Sequence, residues 1–170
     1  FEVMEARKIF DISYKKIQIL IHPKSYIHAI LKFNNGLINI IVHDTTMKVP
    51  IFNTLFLKQN RKLKTNRIDI NALNDLNLNY VSPKRYPIVK LLNFIPDNHS
   101  LFETIIVAAN DKLVELYLNN KIKFTDIKKN LFKLIKEKEF KKYNKKYPAK
   151  IEDITKLNDY VRLKIEKNII

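Results

Sequence analysis

Apolar and polar residues alternate with clear periods along the first quarter of the chain. Apolar residues at helical spacing predict a helix over residues 2–10. A short run rich in β-branched residues, 17–21, predicts a buried strand that ends at the His-Pro pair that follows. Two further apolar runs, 26–33 and 37–43, flank an Asn-Asn-Gly sequence at 34–36, and an Asn-Gly pair provides the positive φ angles of a tight turn. These two runs are therefore predicted to form a β-hairpin.

A polar segment occupies the middle of the chain. Before it, residues 49–57 predict a helix with a proline in its first turn, where a missing amide hydrogen costs little. The segment itself, 58–79, is rich in Asn and predicts a loop, with at most brief strands near 76–81. Residues 86–94 again have helical spacing, and the Ile-Pro-Asp-Asn sequence that follows is expected to end that helix.

Helical periodicity dominates the rest of the chain. It predicts three helices, over residues 100–119, 125–143 and 151–168. Thr125 is a candidate N-cap for the second of them, because its hydroxyl can accept a backbone amide hydrogen. We place a domain boundary near Asn98, which gives residues 1–98 with the hairpin and residues 99–170 as a small helical domain. The predicted fold class is α+β.

Composition narrows the possible functions. The chain has 170 residues, 46% of them hydrophobic, which is enough for one sizeable core or two modest ones. Polar residues interrupt every apolar run, so no membrane segment is expected. Cysteine is absent, which excludes disulfides, thiolate metal sites and a cysteine nucleophile. Gly36 is the single glycine, so neither a dinucleotide-binding glycine motif nor a phosphate-binding P-loop is encoded.

The formal charge of +15 raises the question of a nucleic-acid partner. The lysines, however, are scattered and accompany many Asn and Ile residues. The densest run, 133–146, alternates with apolar residues as a solvated helix face does. A solvated surface is therefore the favoured interpretation and no nucleic acid is expected, while a basic nucleic-acid-binding module remains the alternative.

Two acidic residues near the start form the first candidate site. Glu2 and Glu5 are three residues apart on the predicted helix, so both carboxylates can approach one hard cation. Spacing alone favours the simpler interpretation, in which acidic residues at a helix start interact with the helix dipole.

A histidine-rich segment forms the second candidate. His22 and His28 flank Pro23 and Ser25, and on an extended strand the two imidazoles would face the same side. Imidazole beside a hydroxyl can transfer protons or bind anions, although a pair without an orienting group is more often structural. His43 and His99 are interpreted as surface or capped core residues.

Short motifs in a fixed order resemble the 1-deoxy-D-xylulose 5-phosphate reductoisomerase family. Residues 1–10 (FEVMEARKIF) are similar to the helix after the family's Asn-Lys-Gly, and residues 22–28 (HPKSYIH) to its H-P-Q-S-x-I-H. Three further matches follow, at 47–51 (MKVPI), 85–91 (RYPIVKL) and 108–127, where AAND precedes IKFTDI. Together these matches are more specific than any one of them.

The resemblance implies an architecture and an activity. The chain would hold part of a central α/β catalytic domain, whose sheet forms a homodimer, followed by a C-terminal α-helical bundle. The whole enzyme would convert the phosphorylated sugar 1-deoxy-D-xylulose 5-phosphate to 2-C-methyl-D-erythritol 4-phosphate with NADPH and Mn or Mg. The expected location is the bacterial cytoplasm, with a plastid-type organelle as the alternative. A fragment without the NADPH domain and most of the metal ligands would be inactive alone.

The resemblance also implies roles for individual residues. Glu2 matches the family's metal-binding glutamate, with Glu5 as a possible neighbour behind it. His28 matches the catalytic, substrate-pocket histidine, and Ser25 lies near it in the same motif. Met47 matches a methionine that lies beside the nicotinamide.

Departures from the family pattern leave a noncatalytic relative open as another alternative. Thr45 and Thr46 replace a Pro-Asp pair, Lys24 replaces a glutamine, and Val107 replaces an asparagine. Thr45, Thr46 and Lys24 lie in the motifs that contain the predicted substrate-binding and cofactor-binding residues.

Overall fold

The computed structural model describes residues 1–59 and 61–169, so Asn60 and Ile170 are outside the described residues. The chain divides into two compact units. The first consists of Phe1–Gln18 together with Ser82–Ile170, and the second of Ile19–Val81. The compact units thus differ from the predicted division at Asn98, because both the first helix and residues 82–98 pack with the helical bundle. A boundary near Asn98 in the whole protein stays a prediction.

The first unit is a helical bundle built around one central helix. Its helices are α1 (Glu2–Phe10), α4 (Phe102–Leu118), α5 (Phe124–Ile135), α6 (Lys138–Lys141) and α7 (Ile151–Ile169), with a 3₁₀ helix at Pro87–Phe94. Helix α4 packs against both α5 and α7. Its apolar positions recur at helical spacing and are buried: Ile105, Ala108, Ala109 and Leu113 are all fully buried, and Val161 of α7 packs in the same cluster.

The second unit contains the remaining helices, α2 (Lys48–Leu55) and α3 (Ile70–Asn74), and two small antiparallel sheets. One sheet pairs β1 (Leu20–Ile21) with β4 (Asn79–Tyr80). The other is the predicted hairpin, in which β2 (Ile27–Lys32) pairs with β3 (Ile38–Val42). The α+β class is confirmed. None of the described helices is long and apolar enough to cross a membrane.

The hairpin turn has one residue with a positive φ angle, Gly36 at 87°. Asn34 and Asn35 keep negative φ angles, so the glycine alone, rather than an Asn-Gly pair, provides the positive φ angle of this three-residue loop. The backbone N–H of Phe33 donates to the carbonyl of Leu37 at 2.9 Å and closes the loop. Asn35 supports it, because its side-chain oxygen accepts the backbone N–H of Leu37 at 3.1 Å.

We expect Gly36→Ala to destabilise the hairpin by about 1 kcal/mol, because a Cβ disfavours the left-handed backbone even though open space surrounds it. Amide hydrogen exchange should show faster exchange in β2 and β3. Asn35→Ala is the matched control. This substitution removes one exposed side-chain hydrogen bond at a residue whose φ angle is negative, so it should destabilise the hairpin less than Gly36→Ala does. Equal effects in the two variants would contradict the role given to the backbone angle.

Three expectations about local structure were wrong. The segment 58–79 contains helix α3, which begins where the carboxylate of Asp69 accepts the N–H of Ala72 at 2.9 Å. Residues 87–94 form a 3₁₀ helix rather than an α-helix. The single helix predicted over 125–143 is broken at Glu137, because an unbroken helix would turn Phe140 away from the core that Ile135 faces.

The N-cap of α5 also differs from the prediction. It is Lys123 rather than Thr125. The carboxylate of Asp126 accepts the backbone N–H of Lys123 at 3.0 Å, so an acidic side chain inside the first turn stabilises this helix start.

Candidate functional site

The candidate metal ligands lie in the first unit, on the first turn of α1. Glu2 and Glu5 are both exposed, and neither forms an ion pair within the part of the chain that the structure describes. No group of three or more His, Cys, Asp or Glu side chains able to hold a metal occurs among the described residues. Two free carboxylates one helical turn apart suit a hard divalent cation, but only as part of a larger set of ligands.

Arg7 anchors the helix that carries these carboxylates. Although charged, it is 8% exposed, and its Nη2 donates to the backbone carbonyl of Asp97 at 2.7 Å. Its Nη1 donates to the carboxylate of Asp11, also at 2.7 Å. Helix α1 therefore turns Met4 and Arg7 inward, whereas Ile9 and Phe10, two of the apolar residues at helical spacing, are exposed.

Asp97 joins α1 to the turn that follows it. Its carboxylate accepts the hydroxyl of Ser13 at 2.5 Å and the backbone N–H of Tyr14 at 2.8 Å. These hydrogen bonds, Ser13 first, lower the pKa of Asp97 below its usual range, and the charge of Arg7 contributes. The hydrogen bond from Arg7 likewise lowers the pKa of Asp11, with a further contribution from His99.

A buried carboxylate, Glu103, lies at the start of α4 in the same network. It accepts the hydroxyl of Tyr14 at 2.7 Å and pairs with the ammonium of Lys8 at 2.5 Å. Burial, followed by the hydrogen bond to Glu103, raises the pKa of the Tyr14 phenol. The polar interactions of Arg7, Asp97 and Glu103 thus fix the orientation of α1 on the bundle.

The lowered aspartate pKa values predict a pH-dependent stability of this unit. A carboxylate whose pKa falls on folding stabilises the fold above its unfolded pKa, about 3.9, and loses that contribution as the pH falls through its folded pKa. We therefore expect the difference in unfolding midpoint between wild type and Asp97→Asn to shrink as the pH is lowered from 7 to about 3, in urea titrations. A difference that does not change with pH would contradict this account.

The histidine motif lies in the second unit and begins with a tight turn. The backbone N–H of Ser25 donates to the carbonyl of His22 at 3.0 Å, and Ser25 has a φ angle of 50°. A positive φ angle at a non-glycine residue is strained and is often found at functional sites. Lys24 forms an ion pair with Asp75 at 2.8 Å, so this departure from the family pattern has a partner beyond α3.

The turn places His22 and His28 beside different sheets, and they do not share the strand face that was predicted. Both ring nitrogens of His22 are buried and lack a hydrogen-bond partner among the described residues. His28, in contrast, is exposed and lies at an irregularity in the register of β2, where Ile27 pairs with Val42 but Ala29 pairs with Ile41. This β-bulge reorients the His28 side chain.

The imidazole rings of His28 and His43 stack in parallel. Their centroids are 3.5 Å apart and their planes differ by 6°. Nε2 of His28 lies 3.3 Å from the backbone carbonyl of His43, and Nδ1 of His43 lies 2.6 Å from the carbonyl of Asp44. His28 therefore has an orienting neighbour that the sequence interpretation did not identify.

Met47 lies at the N-cap position of α2 and is 69% exposed. The residues before it are Thr45 and Thr46 in place of the family's Pro-Asp. The hydroxyl of Thr46 accepts the backbone N–H of Lys48 at 3.3 Å, which is a contact that an aspartate at this position could also make. This substitution is therefore compatible with a normal start of α2.

The site residues predicted from the sequence fall into two groups. Glu2 and Glu5 belong to the first unit, whereas Ser25, His28 and Met47 belong to the second. Two residues were missed. His43 had no clear signal in the sequence, because continuing the Ala29–Ile41 register outward places position 28 opposite Val42 rather than His43. Arg7 gave no signal, since a single arginine on an amphipathic helix is ordinarily solvated.

Comparison with solved structures defines the fold. The chain aligns over 99% of its length with a DOX-P reductoisomerase in complex with magnesium, with a TM-score of 0.85 and 23% identity. It aligns equally completely with the 1-deoxy-D-xylulose 5-phosphate reductoisomerase of Zymomonas mobilis in complex with NADPH, with a TM-score of 0.80 and 24% identity. In both cases it covers 43% of the solved chain. The fold is that of one part of such an enzyme.

Sequence comparison gives the family. Residues 43–164 match the family model of the DXP reductoisomerase C-terminal domain. The chain is also 55% identical, over 165 residues, to the 1-deoxy-D-xylulose 5-phosphate reductoisomerase of Pelagibacter ubique. The chain belongs to the 1-deoxy-D-xylulose 5-phosphate reductoisomerase family. It spans 42% of the length of that relative, while the alignment includes 97% of the chain.

Proposed function

We propose that this chain functions as the C-terminal part of an NADPH-dependent reductoisomerase that converts 1-deoxy-D-xylulose 5-phosphate to 2-C-methyl-D-erythritol 4-phosphate in the non-mevalonate route to isoprenoids. The observation that carries this proposal is the 55% identity to a reductoisomerase across nearly the whole chain. We also propose a bacterial cytoplasmic location, in keeping with that relative. No structural observation favours the nucleic-acid alternative.

In this proposal, Glu2 provides one carboxylate ligand for Mg or Mn, and Glu5 lies behind it. A divalent cation in such a site would polarise the hydroxyl and carbonyl oxygens of the substrate as a Lewis acid. The exposed, unpaired state of both carboxylates supports this role, because no cation of the described residues neutralises them. Arg7 and Asp97 keep the first turn of α1 in a fixed orientation.

The second unit would provide contacts to substrate and cofactor. We propose that His28 binds a substrate hydroxyl and assists in moving its proton, since imidazole can both accept and donate near neutral pH. Ser25, held in a strained turn three residues earlier, would bind the substrate through its exposed side chain. Met47 would pack its flexible, polarisable thioether against the nicotinamide ring of NADPH.

A homodimer is part of the same proposal, and the hairpin supports it. Apolar side chains are exposed along both strands and at the turn. They are Ile30, Leu31, Phe33, Leu37, Ile38, Ile40 and Ile41. Exposed apolar strands with free edges favour association with another sheet, and a second copy of the chain provides a matching one.

The direct test uses the full-length polypeptide that contains this chain. Purified protein should oxidise NADPH only when both 1-deoxy-D-xylulose 5-phosphate and Mg or Mn are present, and mass spectrometry should identify 2-C-methyl-D-erythritol 4-phosphate. Omitting each component in turn provides the controls. A folded, metal-loaded protein that leaves NADPH and substrate unchanged would instead support the noncatalytic relative.

A further inference from the structure

The His28 and His43 side chains form a contact that none of the assigned roles uses. His28 is the extra residue of the β-bulge, and the bulge brings its ring over that of His43 with a centroid separation of 3.5 Å. His28 is exposed while His43 is half-buried, so the exposed His28 ring packs on the less exposed ring of His43. The stack restricts rotation of the His28 ring about its side-chain bonds.

The hydrogen bonds of the two rings determine their neutral tautomers. A backbone carbonyl can only accept, so Nε2 of His28 must carry the hydrogen that it directs at the carbonyl of His43, 3.3 Å away. By the same reasoning, Nδ1 of His43 carries a hydrogen and donates to the carbonyl of Asp44 at 2.6 Å. Nδ1 is then the nitrogen of neutral His28 whose lone pair is free to accept a hydrogen bond.

Among the described residues, no carboxylate is hydrogen-bonded to either imidazole; the partners of both rings are backbone carbonyls. Asp44 is adjacent to His43 in sequence, but its Oδ2 accepts the backbone N–H of Asn66 at 3.0 Å. The side chain of Asp44 thereby ties the loop that follows β3 to residue 66. Enzymes commonly orient a histidine through a hydrogen bond at its second nitrogen, and here a backbone carbonyl provides that bond.

We propose that His43 is a positioning residue for His28. Its ring fixes the plane of the His28 imidazole, and its backbone carbonyl keeps the proton on Nε2, so that Nδ1 accepts a hydrogen bond from a hydroxyl group of the phosphorylated sugar. The role of Nδ1 toward substrate rests on the proposed function above. The tautomer and the ring orientation rest on the hairpin geometry alone.

Substitutions at position 43 test the contribution of the His43 ring in the full-length polypeptide. His43→Ala keeps the carbonyl but removes the ring beneath His28. It should lower kcat by at least about tenfold, since misplacing a reacting group by about 1 Å can cost about 100-fold. His43→Phe keeps a flat ring at the same position and should restore kcat to within about twofold of wild type. Lys32→Ala, on the same hairpin but outside the stack, is the matched control and should leave kcat unchanged.

Nitrogen-15 NMR of the histidine-labelled polypeptide gives a readout independent of activity. In wild type and His43→Phe, the His28 signal, identified by its loss in His28→Gln, should show the tautomer with the hydrogen on Nε2. In His43→Ala, the signal should shift toward a mixture of tautomers. A wild-type signal from the Nδ1–H tautomer would overturn the proposal even if the alanine variant failed to fold.

The kinetic and spectroscopic outcomes distinguish this proposal from the proposed function. Unchanged kcat and unchanged tautomer in a folded His43→Ala protein would overturn the positioning role of His43 while leaving the reductoisomerase activity intact. A wild-type protein without activity toward 1-deoxy-D-xylulose 5-phosphate would overturn the proposed function. In that case, the predicted NMR pattern would still support the positioning of His28 by His43.

Discussion

Glu2→Gln in the full-length polypeptide is expected to lower kcat/KM by about 100-fold or more and to raise the Mg or Mn concentration needed for half-maximal activity. The amide has nearly the same shape as the carboxylate but no negative charge, so a hard cation loses one of its ligands. Helix α1 should remain folded, because Glu2 makes no ion pair within the described residues. Steady-state rates measured across a metal titration give both quantities.

Glu5→Gln is the matched control for this experiment. It removes the same charge from the same exposed helix turn, three residues further along. Glu5 is assigned to the surroundings of the metal rather than to the metal itself. Its loss should therefore lower kcat/KM by about tenfold or less, at the low end of the range for neighbours of metal ligands. Equal losses in both variants, or wild-type activity that survives chelation of the metal, would contradict the assignment of Glu2.

Leu113→Ala is expected to produce the largest loss of stability, about 3–5 kcal/mol in the free energy of unfolding of the helical unit. Leu113 is fully buried in α4, within the cluster that includes Ala109 and Val161. Truncation both loses the transfer free energy of the side chain and leaves a cavity that the surrounding helices can fill only in part. Urea titrations followed by circular dichroism or pulse proteolysis measure this change.

Leu118→Ala tests whether burial, rather than helix propensity, causes the effect. It makes the same substitution in the same helix, but Leu118 is 70% exposed. A change of about 0.5 kcal/mol or less is expected there. If the two variants lose similar stability, the core does not lie where α4, α5 and α7 meet.

Elements defined by strong local periodicity could be predicted from the sequence. The helix at residues 2–10, the hairpin around Gly36 and the helices near 100–119 and 151–168 occur where the apolar spacing placed them. In the two long helices, α4 and α7, the buried face and the intrinsic preferences of the residues agree. The brief strand at Asn79–Tyr80 was also within the predicted range of 76–81.

The remaining elements depend on contacts that periodicity does not encode. Helix α3 lies in a polar segment and begins at the Asp69 side chain. The break between α5 and α6 depends on burying Phe140, which lies on a different helical face from Ile135. The burial of Arg7 depends on Asp97, a residue far away in sequence, and it turns Ile9, on the opposite side of α1, outward.

The candidate site was predictable only to the extent that a family resemblance supplied it. Spacing and chemistry by themselves left Glu2, Ser25, His28 and Met47 with ordinary structural explanations. The stack between His28 and His43 needed three-dimensional structure, because the β-bulge shifts the register of the hairpin by one residue at that point. The assigned roles of these site residues stay predictions.

We propose that this chain provides a metal ligand and a substrate-binding histidine to a reductoisomerase. The most direct test of this proposal is a crystal structure of the full-length polypeptide with Mn and 1-deoxy-D-xylulose 5-phosphate, in which anomalous scattering locates the metal. We predict a carboxylate oxygen of Glu2 within about 2.5 Å of the Mn ion, the range of direct oxygen–metal bonds, and Nδ1 of His28 within hydrogen-bond distance of the substrate. A bound Mn ion whose ligands do not include Glu2 would contradict the account.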